Sequence, residues 1–349
     1  MRAFHAGRIV APMIFYGGYS IMTDQSKFKT RPVGRRWVRC ALPLLMASVT
    51  LPAFAHNNNA YVANYSDNTV SVINTINNTV SATIPVGTSP SGVAVSPDGS
   101  TVYVANFGNN TVSVIDAASN AVAATVAVGA APAAVTVSPN GANVYVVNSN
   151  SNTVSVIAAN TDAVSATVPV GQQPFSLAVS PNGADVYVGN LGSENVSVIN
   201  TSNNTVSATV ALGDDPYSLA VSPDGAHVYA TAYNAGDVSV ISTRTNTVTS
   251  TIAAGSGANA LALQFFGALM YVANYNANTV SVITPFDGKA VETVTVGVGP
   301  DGLAVSCGNV YVANSGSNTV SVVNPFGGAL ATINVGSDPV AVATQPVNW

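Results

Sequence analysis

A tyrosine, followed by valine in every copy but the fifth, opens a strand-turn-strand phrase that recurs along the chain, at Tyr61, Tyr103, Tyr145, Tyr187, Tyr229, Tyr271 and Tyr311. The first six tyrosines are 42 residues apart and the seventh follows after 40. A period of this size constrains the fold more than any local propensity, because each copy must be one supersecondary unit that buries its apolar face on the next. One copy holds four short apolar runs, as in "AAVTVSP" (133–139), "VYVVN" (144–148), "TVSVI" (153–157) and "AVSATVPV" (163–170). Gly, Pro, Asn and Asp punctuate them. Runs of this length, rich in β-branched residues and alternating with period two, read as strands. Four antiparallel strands repeated seven times predict an all-β, seven-bladed β-propeller.

Composition agrees. Apolar residues make up 48% of the chain and charged residues 7%, too few charges for a sheet with one wet face. Blades stacked face to face cover both sides of every sheet. The fourth run carries Pro85 and Pro169. Proline cannot donate to a ladder, so this run is expected on the outer edge, with the "VAVSP" run lining the axis. The ends then predict how the ring closes. Tyr61 has no inner run before it, and "DPVAVATQPVNW" (338–349) has no Tyr-Val run after it. The C-terminal strand should join the first blade as a clasp.

The recurring phrase "YVAN…NTVSVI…ATIPVG…GVAVSPDG" resembles the YVTN-family β-propeller repeat. The resemblance covers residues 60–349 and implies an exported or surface-layer-like propeller. It implies no particular activity, since seven-bladed propellers include lactonases, lyases and pure binding proteins.

Residues 1–55 read as a separate object. "GRRWVRC" (34–40), an apolar stretch (41–55) and Ala53-Phe54-Ala55 have the layout of a cleaved secretory signal, with Met22 as the expected start. The apolar stretch is too short to span a bilayer. The propeller is then expected over 56–349, in the periplasm, at the cell surface or outside the cell. Beyond residue 55 only Arg244 and Lys289 are basic, against fourteen acids, a net charge of −12. That argues against nucleic acid and anionic membrane surfaces as partners and favours a cation, a glycan or a basic protein. Cys307 is the one cysteine beyond residue 55, so no internal disulfide is expected there. A monomer is expected.

The chemistry-bearing residues are sparse. Beyond residue 55, His227 has no second histidine to join it except His56 at the expected new N-terminus. No phosphate loop, catalytic triad or metal-spaced pair is legible, so no catalytic residue and no cofactor is assigned, and the metal question stays open. What remains is departure from the repeat. Loops joining the second to the third strand, and the fourth strand to the next blade, should emerge together on one face, the top. Tyr65, Tyr217, Tyr233, Tyr275, Phe107 and Phe175 fall there, with half of the acids beyond residue 55. Blade five, the one holding Tyr229, is densest. The candidate site comprises Asp214, Asp215, Tyr217, Tyr233 and Asp237, with Glu194 and Phe175 from the blade before. Aromatics beside carboxylates suit a sugar or a cationic group, and the abutting pair Asp214-Asp215 should repel unless a cation relieves it. The expected function is an exported, non-catalytic binding or envelope-associated propeller. The alternative is a propeller hydrolase or lyase of the lactonase kind.

Overall fold

The computed structural model describes residues 59–264, 266–306, 308–324 and 328–346. The expected signal segment with its cleavage point, Cys307 and Trp349 lie outside the described residues. Seven four-stranded antiparallel sheets make seven blades. The only helical elements among the described residues are two 3₁₀ turns, Leu191–Ser193 and Ser315–Ser317. No helix among them is long and apolar enough to cross a membrane.

The first blade shows why the strands run as they do. Its second and third strands, Asn59–Asn64 and Thr69–Asn74, pair from Asn59↔Asn74 to Asn64↔Thr69. The turn between them is tight because Asn68 adopts a left-handed conformation (φ 58°), which Asn tolerates better than most residues. Thr79–Pro85 is the outermost strand, so Pro85 interrupts no ladder. The inner strand is Pro339–Thr344, paired from Ala60↔Thr344 to Asn64↔Pro339. Gln345 extends the closure: its N–H donates to Asn59 O (2.9 Å), and its side-chain oxygen accepts from Asn59 N–H (3.1 Å). The ring thus closes with three strands from one end of the propeller and one from the other.

The core lies between blades. Each of its seven clusters joins side chains of adjacent sheets, as where Tyr311, Ala313 and Val322 of blade seven meet Ala60, Val62 and Ile73 of blade one. A second device recurs. The asparagine ending the second strand is fully buried, and its Nδ2 donates to two side chains on the third strand. Asn148 reaches Thr153 Oγ1 (3.1 Å) and Ser155 Oγ (3.0 Å). The tail of the preceding blade crosses directly over this amide. A Cβ on Gly129 would lie 2.6 Å from Asn148 Cγ, so only glycine fits. Six blades carry this asparagine, at Asn64, Asn106, Asn148, Asn190, Asn274 and Asn314. Blade five has Ala232 instead.

Candidate functional site in the axial mouth and on blade five

Inner strands begin with a buried residue, proline in six of seven blades, and the residue after it faces the axis. Around the ring those positions hold Ser91, Ala133, Phe175, Tyr217, Asn259, Asp301 and Val340. All seven line one cavity of about 400 Å³ at the top of the channel, joined at the rim by Tyr65 and Phe107. Seven equivalent backbone positions therefore converge on one space, and side-chain identity alone makes it asymmetric. One side is aromatic: the rings of Phe175 and Tyr217 meet edge-on at 5.4 Å. The other side is polar and acidic.

Asp301 is the ionisable group of that polar side. Asn259 Nδ2 donates to its carboxylate and, at 3.1 Å, to its backbone carbonyl, which fixes the side chain in the wall. The carboxyl keeps part of its surface open to the cavity, while protein surrounds it elsewhere. Burial pushes its pKa up to about 6, against the Asn259 hydrogen bond, which favours the charged form; the nearby charge of Asp338 adds to the rise. A carboxylate poised near neutrality in a cavity is suited to accept a proton from a bound molecule.

The residues predicted on blade five separate into three groups. Tyr217 and Tyr233 do come together, with ring centroids 4.8 Å apart. They continue the row from Phe175 and lead to Tyr275 at 6.4 Å from Tyr233. Asp214 and Asp215 form a self-contained turn. Asn234 Nδ2 donates to both carboxylates (3.2 and 3.1 Å), and Asp214 also accepts from the N–H groups of Ala235 (3.0 Å) and Asp215 (2.7 Å). The repulsion expected between these acids is met by donors of the protein itself. Asp237 starts the third strand of blade five, partly buried, where burial and the charge of Asp214 raise its pKa. Glu194 lies apart. It is exposed in a left-handed turn (φ 50°), and its carbonyl, not its carboxylate, receives the N–H groups of Leu212 and Gly213. Among the described residues no three His, Cys, Asp or Glu side chains converge as a metal site.

Asn259 and Asp301 were missed as site residues by sequence reasoning, although Asp301 is one of the top-face acids. The signal was present: aligned on the inner-strand proline, the next position reads Ser, Ala, Phe, Tyr, Asn, Asp, Val. It is the axis-facing residue, and it is where the copies differ most.

Comparison with known proteins supports the fold class. A model of the YNCE-like beta-propeller family matches residues 120–239, and one of the lactonase, 7-bladed beta-propeller family matches residues 53–167. The matches thus fall on YNCE-like and lactonase propellers rather than on the YVTN repeat. No curated protein sequence matches the chain. Among solved structures, the chain is similar to Kuenenia stuttgartiensis hydrazine synthase (21% identity, 76% of this chain and 91% of that one, TM-score 0.69). It is also similar to a candidate 6-phosphogluconolactonase from Bacteroides uniformis (21% identity, 82% and 99%, TM-score 0.69). A functionally unknown protein from Desulfotomaculum acetoxidans superposes with TM-score 0.74 at 14% identity, over 82% and 99%. At these identities the likeness is one of fold: the chain is a seven-bladed β-propeller.

Proposed function

We propose that this propeller opens neutral cyclic esters in its axial mouth, with Asp301 as general base. The observation that carries the proposal is the Asp301 carboxyl, held by Asn259 in the wall of a cavity with an aromatic opposite side. The ring of a hydroxylated lactone stacks on Phe175 and Tyr217. Asp301 takes a proton from a water molecule as that water adds to the ester carbonyl. The ring C–O bond then breaks, and the proton returns from Asp301 to the departing alkoxide, giving the open hydroxy acid. The partial match to the lactonase family supports this chemistry.

The charge distribution restricts the substrate. Arg244 and Lys289 are the two basic side chains among the described residues, and both lie at the bottom, where the third strand turns to the outer one. Lys289 is already paired with Asp287 at 3.1 Å. A phosphate in the top mouth would meet Asp301 and the neighbouring Asp338 without a cation to receive it. Purified protein is therefore expected to open neutral aldonolactones and to leave phosphorylated ones at the uncatalysed rate, with ring opening followed by proton release. Asp301→Asn is expected to lower the rate about 100-fold or more, the usual worth of a positioned base. Preference for the phosphorylated ring, or full activity in Asp301→Asn, would overturn the proposal.

A second reading rests on the continuous row Phe175, Tyr217, Tyr233 and Tyr275 beside Asp214 and Asp215. Such a ledge would bind a glycan or a cationic side chain without reaction. It predicts saturable ligand binding that Tyr233→Ala weakens, with no ring opening by the wild type.

A further inference from the structure

Blade five departs from the repeat at three linked places. Its second strand ends in Ala232 where six blades have the buried asparagine. Its third strand begins with Asp237, where five blades supply a threonine hydroxyl and Asn195 of blade four an amide oxygen to that asparagine, as at Asn64–Thr69 and Asn190–Asn195. The preceding tail has also turned away. Gly213 sits at φ 80°, and a Cβ built on it would meet nothing within 4 Å, whereas its counterparts press on the asparagine amide at 2.5–2.7 Å. Six top loops donate a backbone N–H to the linker before them, as Phe107 does to Ser89 O (3.0 Å). Tyr233, the counterpart in blade five, makes no such bond among the described residues.

Between Gly213, which has open space beside it, and Ala232, blade five lacks the asparagine head group that fills this place in the other six blades, and we call the place a hollow. Its polar side is formed by the two positions that elsewhere receive the amide hydrogens. Ala232 is paired across the strands with Asp237, and Ala230 with Ser239, in the same register as Asn64 with Thr69 and Val62 with Ser71. Ser239 is only 7% exposed. In the other six blades its counterpart accepts a hydrogen from the asparagine, as Ser71 does from Asn64 (2.9 Å) and Ser281 from Asn274 (2.9 Å). Ser239 has no hydrogen-bond partner among the described residues, and the Asp237 carboxylate has none either. A nearly buried hydroxyl and a partly exposed carboxylate thus lack the protein donor that the other six blades supply, and one of them is charged. A ligand that supplies N–H donors and a positive charge would complement both groups.

We propose that this hollow is a socket for the ammonium head of a primary amine, such as an aminoalkyl ligand or a lysine side chain. An ammonium supplies N–H donors where the amide Nδ2 supplies them in six blades, and its charge complements Asp237 with Asp214 nearby. Its tetrahedral head matches the deleted group in size, whereas a quaternary ammonium would be too large and would offer no N–H. The socket is built from residues other than those lining the axial mouth, so it stands independently of the hydrolytic proposal.

The test uses ethylammonium chloride as the probe, with sodium chloride and tetramethylammonium chloride at matched ionic strength, read by thermal melting of the purified propeller. Wild type should show a saturable rise in melting temperature with ethylammonium alone. The double variant Ala232→Asn/Asp237→Thr restores the pair that other blades carry, so it should fold at least as stably, and its affinity should be at least tenfold lower. Asp237→Asn keeps the shape and removes the charge, and should lose the effect similarly. The same saturable shift in the restored variant would overturn the socket. So would a wild type that responds alike to all three salts.

Discussion

Truncation of the chain after Asp338 is expected to abolish the closed ring. The missing segment includes the strand Pro339–Thr344, which pairs with Ala60–Asn64, and Gln345, which bonds Asn59. All six residues of that partner strand are buried, so its ladder groups would be left facing water or the channel. Val342, 8% exposed, would leave the cluster that joins blades one and seven. The same strand also abuts blade seven's inner strand, where a Cβ on Gly302 would lie 2.6 Å from Val340 O. Each lost hydrogen bond is worth about 1 kcal/mol, and each large apolar side chain about 1.5–3 kcal/mol. Together the loss is on the order of 5 kcal/mol or more, comparable with the entire net stability of an ordinary domain. The exposed edge would also seek a partner strand from another molecule. Melting followed by circular dichroism, with gel filtration, should show aggregation or a transition lower by about 10 °C or more. An unchanged melting curve would mean that blade one stands without its inner strand.

Asp301→Asn is expected to stabilise the propeller at neutral pH while it removes the activity. The sign follows from the raised pKa. A carboxyl held at about 6 in the folded protein and at the ordinary value of about 4 in the unfolded chain binds its proton more tightly when folded. Its favourable contribution is complete below about pH 4 and is lost as pH rises through about 6. Two pKa units correspond to at most about 3 kcal/mol, and the true gain is smaller because the carboxyl stays open to the cavity. Asparagine keeps the shape and can still accept the Asn259 amide hydrogen without a charge to desolvate. Melting of the variant and wild type should coincide in acid and separate above about pH 6, the variant higher by several degrees. Residues kept in place against stability are expected at sites of function. A variant less stable than wild type at neutral pH would show that the carboxylate is a structural partner of Asn259 instead.

The architecture could be read in the sequence because it is repetitive. Seven tyrosines in register define seven blades, Pro85 and Pro169 mark the outer edge, and the unmatched ends define the clasp. The site was legible only in part, for a physical reason. A propeller's mouth is built from one residue of each blade, about 42 positions apart, so Asn259 and Asp301 are neighbours in space with no local motif between them. The aromatics stood out because Phe175 and Tyr217 are bulky exceptions in small-residue strands. The acids Asp214 and Asp215 drew attention for their adjacency, but their partner Asn234 lies 20 and 19 residues on, across a loop. The hollow beside Ala232 left no motif at all, because its signal is a missing side chain read against six intact copies.

The account turns on Asp301 working as a base in the axial mouth. The measurement that bears on it most directly is the pH dependence of neutral lactone opening by wild type and Asp301→Asn, with buffer catalysis subtracted. Wild-type kcat/KM is predicted to rise as pH passes through about 6 and then to level off, as the carboxyl deprotonates. The variant should show only the flat remainder of the cavity's binding effect. A wild-type profile without an inflection in that region, or one that Asp301→Asn reproduces, would contradict the account.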